Sequence, residues 1–233
     1  MTLRTALRLG RVSNLPTVWT DVMAGVALAG AAPRPALVLP VAVAASLFYV
    51  AGMYLNDAFD HRWDAQHRPE RPIPAGEVRA ATVFIAGFGM MAAALLLLAL
   101  GPHAPATVLG GTGLGACILL YDLSHKANPL APLVMGLCRV GVYVVAALAV
   151  DAHLPRAVYL GSAAMLAYLV ALTAIARHEH RNPRLPRLVG QLIAGICLLD
   201  ATVLAFMGYP LAALIAAAGY PLTRLFQRRI AGT

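Results

Sequence analysis

The sequence predicts an all-α, polytopic bundle of transmembrane helices, and three observations lead there. The first is composition: of 233 residues, 60% are hydrophobic and only 12% charged, about half the charge of an average soluble domain. The second is length: apolar runs of bilayer-crossing size follow one another along the chain, separated by Pro, Gly and basic residues. The third is the distribution of charge. Nearly all Lys and Arg fall in alternate connections, the asymmetry that orients membrane proteins. The chain, residues 1–233, reads as one integral-membrane domain with no room for a sizeable soluble domain.

The apolar runs give about eight spans, at 15–32, 36–56, 80–101, 104–122, 129–150, 155–176, 188–207 and 209–226. The first, fourth and last are short, and the last has interfacial character. The basic start, MTLRTALRLGR, lacks a small-residue cleavage site before the first apolar run, so it reads as a retained end rather than a signal peptide. Of 18 Lys and Arg, fifteen fall on one side of an eight-span arrangement. Only Arg34 and Arg156 fall on the other, and Arg139 lies within a span. Both termini and the loops at 57–79 and 177–187 are therefore expected in the cytoplasm. The net charge of +8 reports this orientation rather than nucleic-acid binding, because the basic residues sit in short loops between apolar runs.

Within the spans, Cys117, Cys138 and Cys197 have no CxxC spacing and read as small buried apolar residues. The GGTGLG run at 110–115 follows no strand and reads as a helix-packing surface, not a nucleotide loop. Trp19, Tyr49, Tyr54, Trp63 and Tyr209 lie near span ends and read as interface anchors. Asp21 and Asp200 are carboxylates inside spans: either proton or ligand sites, or buried carboxyls bonded to a neighbouring helix. Arg139, about ten residues into its span, must face an anion inside the bundle. Two partners remain open for it, a substrate phosphate and an intramembrane aspartate.

Residues 56–76, NDAFDHRWDAQHRPERPIPAG, carry the densest chemistry. Asp57, Asp60 and Asp64 stand at i, i+3 and i+7, one face of a helix, with Asn56 a turn before Asp60. Three carboxylates without a His or Cys partner suit a hard cation such as Mg²⁺, which bridges protein carboxylates to phosphate oxygens. Arg68 and Arg71 in the same loop, and Lys126 after the fourth span, supply cations for an anionic ligand. Mg²⁺ with Arg and Lys stabilises charge on a departing diphosphate, and an apolar bundle would house a hydrocarbon tail and exclude water.

Asn56, Asp57, Asp60 and Asp64 resemble the NDxxDxxxD motif of the UbiA superfamily of intramembrane prenyltransferases. The segment RPIPAG at 71–76 is similar to that family's RPxPxG element. RVSNLPTVWTDVMAG at 11–25 resembles its first-helix entry, and Tyr121 with Lys126 its Tyr…Lys element after the fourth helix. The resemblance implies a bundle around a central cavity opening toward the cytoplasm, with transfer of a prenyl group from a prenyl diphosphate to a hydrophobic, aromatic or lipid-like acceptor. It implies that Asp57, Asp60 and Asp64, assisted by Asn56, bind Mg²⁺–diphosphate, that Arg11, Asn14, Arg68, Arg71 and Lys126 contact substrate, and that Tyr121 lines the reactive end. A bacterial inner membrane is the expected location.

The chain departs from the family pattern after its sixth span, where RHEHR at 177–181 stands in place of DxxxD. Glu179 is then the remaining acid for catalysis or a second Mg²⁺, and Arg177 or His178 replaces a metal charge at the diphosphate. The chain is also about one span short of the family's usual nine. An ARxE-like second motif and the MGLCR segment at 135–139 resemble a shorter EboC-like branch. The altered second motif leaves a binder or transporter of isoprenoid diphosphates as the alternative to an enzyme. The DG…AR…G…D…D pattern of CDP-alcohol phosphotransferases is absent.

Overall fold

A computed structural model describes residues 1–124, 128, 130–176, 185–230 and 232. Every regular element among them is helical: α1 (Leu3–Leu9), a 3₁₀ turn (Val12–Asn14), α2 (Leu15–Leu28), α3 (Pro35–His67), α4 (Ala80–Leu98), α5 (Ala104–Ser124), α6 (Ala131–Leu148), α7 (Arg156–Ala176), α8 (Leu185–Phe206) and α9 (Pro210–Gln227). Proline begins several of these helices, at Pro16, Pro35, Pro132 and Pro210, where a missing N–H costs nothing. Left-handed glycines at Gly30 and Gly208 turn the chain after α2 and α8.

The eight expected spans correspond to α2 through α9, and six of these, α3 to α8, are long and apolar enough to cross a membrane. The short first span is the main departure. Its 14 residues rise about 21 Å, against a hydrocarbon core of about 30 Å. It survives as a helix because it is enclosed: nearly every side chain from Val18 to Leu28 is buried, and α3, α6, α8 and α9 pack around it. The fourth span, expected to be short, is a 21-residue helix. The helix of the second span extends well beyond its apolar part. Helix α3 does not stop at residue 56 but runs 33 residues to His67, carrying the aspartates as one continuous helix.

Small residues set how closely the helices approach. A Cβ on Gly25 would stand 2.7 Å from Ala146 Cβ and 2.8 Å from the Tyr143 carbonyl, so α2 and α6 meet at backbone distance there. In the GGTGLG run, Gly110, Gly111 and Gly115 take Leu148, Leu98 and Met91 against them. Two aromatics expected as interface anchors do other work. The Tyr54 hydroxyl donates to the Ala6 carbonyl at 3.1 Å, tying α1 to α3. The Tyr49 hydroxyl donates to the Arg11 carbonyl at 3.4 Å.

The α2–α6 contact yields a test. Gly25→Ala forces backbone apart and should lower stability by about 1–3 kcal/mol. Gly113→Ala, with nothing within 4 Å of its Cβ position, should be neutral or slightly stabilising. Thermal unfolding of both variants in detergent checks the contrast.

Candidate metal and anion site

The site begins with the register of α3. Asn56, Asp57, Asp60 and Asp64 are all buried, at 8%, 7%, 8% and 1% exposure. On one helix face, Asp57 and Asp64 are about 10 Å apart along the axis, so they do not close on a single ion without help. Among the described residues no three His, Cys, Asp or Glu side chains converge tightly enough to hold a metal as they stand. What joins them is Arg71. Its Nη1 lies 3.0 Å from Asp57 Oδ1 and 3.0 Å from Asp64 Oδ2.

The loop after α3 is folded to deliver that guanidinium. The Arg71 amide donates to the Arg68 carbonyl, Ala75 to Arg71, Gly76 to Ile73 and Glu77 to Pro72. Gly76 adopts φ 76°, which a side chain would resist. Ile73 and Val78 pack on Leu9, Tyr54, Ala58 and Val83, so the loop is anchored to α1, α3 and α4. Glu77 accepts from Thr5 Oγ1 at 2.7 Å and from Arg8 Nη1 at 2.9 Å. The Thr5 hydrogen bond, then Arg8, holds its carboxyl below the ordinary range.

A second cation arrives from the N-terminal side. Arg11 Nη2 lies 3.4 Å from Asp57 Oδ1. Arg11 is the one non-glycine among the described residues with positive φ, 42°, a conformation that costs on the order of 1 kcal/mol. Its carbonyl is held by the Asn14 amide at 3.1 Å and by the Tyr49 hydroxyl. Asn14, expected to touch substrate, is enclosed: Nδ2 donates to Tyr49 Oη and the Gly232 carbonyl, and Oδ1 accepts from Gln227.

The remaining expected residues divide. Tyr121 lies within electrostatic reach of Arg11, Asp60 and Asp122. Arg68 turns away and places its guanidinium over the Trp63 ring at 5.8 Å, as α3 ends at its extended φ of −145°. Arg139 joins Asp21 at 2.6 Å inside the bundle and also lies over the Tyr49 ring at 5.6 Å. Of its two partners left open by the sequence, the structure has the aspartate. Asp200 accepts from Thr20 and Tyr143, so both intramembrane acids are bonded to neighbouring groups. Lys126, Arg177 and Glu179 lie outside the described residues.

One residue near the aspartates escaped sequence reasoning. Asp122 on α5 is buried and accepts from Asn56 Nδ2 at 3.1 Å, bringing a fourth carboxylate beside the α3 face. Its signal, an acid at the last position of the fourth apolar run, 104–122, is akin to the one read for Asp21 and Asp200 inside their spans, but Asp122 was not singled out.

The donors fit a hard divalent cation. They are all oxygens; the Asn56 amide commits its nitrogen to Asp122 and leaves its carbonyl oxygen; and the buried Asp64 Oδ1 has no hydrogen-bond partner among the described residues. Mg²⁺ takes only one or two protein carboxylates and fills the rest with phosphate and water oxygens, so a closed cage is not required.

Comparisons with known proteins agree on one family. The sequence profile described as the UbiA prenyltransferase family matches residues 17–227. A digeranylgeranylglyceryl phosphate synthase from Methanopyrus kandleri is 34% identical over 174 residues, covering 72% of this chain and 61% of that protein. Another from Ignicoccus hospitalis is 41% identical over 128 residues, covering 53% of this chain and 39% of that protein. The matched part is thus less than two thirds of either relative. Among solved structures, a UbiA homolog from Archaeoglobus fulgidus bound to DMAPP and Mg²⁺ superposes with TM-score 0.64 at 14% identity, over 98% of this chain and 88% of that one. A digeranylgeranylglyceryl phosphate synthase structure gives 0.59 at 14% identity, over 97% and 94%. At that identity the two structures share the fold.

Two charge pairs give predictions. Arg71→Ala leaves the buried Asp57 and Asp64 short of a cation and should destabilise by roughly 3 kcal/mol, with Arg71→Lys intermediate. Asp21→Asn with Arg139→Gln should cost less than the sum of the single variants, since each single change strands a buried charge. Denaturant or thermal unfolding of the four proteins measures that coupling.

Proposed function

The chain belongs to the UbiA prenyltransferase family, and from that premise we propose that it transfers a prenyl group from a prenyl diphosphate to an apolar acceptor, aromatic or lipid-like, with Mg²⁺. One observation carries the reading: a single helix face of buried carboxylates, with Arg11 and Arg71 against it at the edge of an apolar bundle. Asp57, Asp60 and Asp64, with the Asn56 carbonyl, would hold Mg²⁺. The ion supplies charge that binds and stabilises the diphosphate.

The chain's own residues do the rest. Arg11 and Arg71 exchange part of their contact with the aspartates for diphosphate oxygens, and so favour breaking the bond between the prenyl C1 and the diphosphate oxygen. The electron pair leaves with the diphosphate. The Tyr121 ring lines the developing allylic cation, which an electron-rich face stabilises. Ile118, packed against Gly52 of α3, and Leu114, packed against Gly141 of α6, belong to the apolar wall that keeps water from that cation. The acceptor nucleophile then bonds to C1 and loses its proton.

Lys126, Arg177 and Glu179 are assigned on sequence alone: Lys126 and Arg177 to the diphosphate, Glu179 to a second metal or to catalysis. Residues 1–233 act as one unit in this reading, with both termini and the site's loops on the cytoplasmic face. The Archaeoglobus structure, bound to DMAPP and Mg²⁺, supports the donor class and the cofactor. The archaeal relatives' names support an isoprenoid lipid product.

Prenyl transfer and diphosphate release, measured in membranes holding the wild type, Asp57→Ala or Asp60→Ala, test the assignment. Each variant should lose at least about a hundredfold in turnover while remaining folded. Turnover equal to wild type in both would remove the aspartates from the site.

A further inference from the structure

Helix α5 lies against α3 in a register that can be followed turn by turn. Phe48 of α3 reaches Gly111 and Gly115 of α5, and one turn on Ile118 meets Gly52. The approach is close there: a Cβ on Gly52 would stand 3.1 Å from Ile118 Cγ2. One further turn along both helices brings Asn56 opposite Asp122. Both side chains are buried, and Asn56 Nδ2 donates to Asp122 Oδ1 at 3.1 Å. Apolar packing two turns deep therefore fixes where this carboxylate stands.

The contact decides which way the Asn56 carboxamide faces. The oxygen and nitrogen of an amide are nearly the same size, so packing alone accepts either orientation. A carboxylate does not, because it accepts hydrogen bonds and donates none. Turned the other way, Asn56 would set its carbonyl oxygen against Asp122 Oδ1, two acceptors with no proton between them. Asp122 takes the nitrogen and leaves Asn56 Oδ1 to a cation. A hydrogen bond to a charged acceptor is about twice as strong as a neutral one, and burial sharpens the preference. Asn56 stands one turn before Asp60, so the oxygen it presents belongs to the aspartate face. That face is thus ordered from two sides, by Arg11 and Arg71 at Asp57 and Asp64 and by a carboxylate of α5 at Asn56.

From this geometry we infer that Asp122 is a positioning residue for the divalent cation, acting through Asn56 by holding its amide with the oxygen presented as a ligand. Asp122 has this role only where the α3 face holds Mg²⁺, as proposed above. An acid that acts through Asn56 loses its effect once Asn56 has no amide. An acid that acts by its charge alone keeps its effect in that background.

The full chain in phosphatidylcholine nanodiscs tests this, with Mn²⁺ as a paramagnetic substitute for Mg²⁺ and farnesyl thiolodiphosphate as an unreactive donor. Electron paramagnetic resonance counts the unbound Mn²⁺. Asp122→Asn should weaken Mn²⁺ binding about tenfold, and so should Asn56→Ala. The double variant Asn56→Ala/Asp122→Asn should bind no more weakly than Asn56→Ala alone. The exchanged pair Asn56→Asp/Asp122→Asn keeps one amide, one carboxylate and the hydrogen bond between them, and should restore most of the affinity. Asn56→Ser, which keeps a small donor, serves the same comparison where Asn56→Ala does not fold. Thermal unfolding without metal gives the stability of each variant; affinities that only follow stability mark a structural contact and overturn the inference. Losses that add in the double variant mark charge acting alone and do the same. Wild-type affinity in Asp122→Asn removes Asp122 from the site and leaves the metal reading standing. If the wild type itself takes up no Mn²⁺ with the thiolodiphosphate, the metal reading falls and the role of Asp122 with it.

Discussion

The contact on which the site depends is the guanidinium of Arg71 between Asp57 and Asp64, at 3.0 Å from each. It answers a constraint set by α3. A 33-residue helix is about 50 Å long, well beyond a hydrocarbon core of about 30 Å. Its first part is apolar and crosses, and its last turns emerge carrying Asn56, Asp57, Asp60 and Asp64 at the edge of the bundle. Carboxylates so nearly buried are costly alone. The three prolines and the left-handed Gly76 of the following loop fold the chain back within a few residues, so that compensation is local. The same cations then face whatever anion the aspartates recruit.

Deeper in the bundle the same rule has a different solution. Asp21 takes Arg139 at 2.6 Å, and Asp200 takes the hydroxyls of Thr20 and Tyr143 at 2.5 Å each. These contacts pin α2 to α6 and α8 where the helix is too short to be held by lipid. They are not isolated from the site. Arg139 lies over Tyr49, whose hydroxyl meets both the Arg11 carbonyl and the Asn14 amide. One polar chain therefore links the middle of the bundle to the strained residue that carries Arg11 onto Asp57.

How much was legible in the sequence follows from this. Helical class, span positions and the one-sided aspartates were readable because each is a local period: apolar length, basic loops, or spacing of three and four. The family was readable from four short stretches, at 11–25, 56–64, 71–76 and 121–126. The apolar run marks where the second span leaves lipid and the aspartate spacing marks the helix beyond it, but hydropathy does not show where that helix ends, at His67. Tyr49 and Tyr54 were read as membrane anchors because their backbone partners, Arg11 and Ala6, lie more than thirty residues away. Asp122 was missed for the same reason: its meaning comes from Asn56 on another helix. Arg139 was narrowed to two partners by physics and needed packing to choose between them.

Arg11 shows why the site belongs to the whole chain and not to its motif. A residue at φ 42° keeps that geometry only where its surroundings over-determine it. Here they come from far apart in sequence: Tyr49 from α3, Asn14 from the following turn, and Gln227 with the Gly232 carbonyl, which fix both ends of the Asn14 amide. The 3₁₀ turn is thus held from the C-terminal side, and Arg229 and Ile230 of that same segment line a cavity with Arg11, Asp57 and Arg71. An aspartate motif on a helix supplies ligands wherever the helix ends. The arginine opposite it, and the cavity beside it, exist only because α1, α3 and the end of α9 meet at one point.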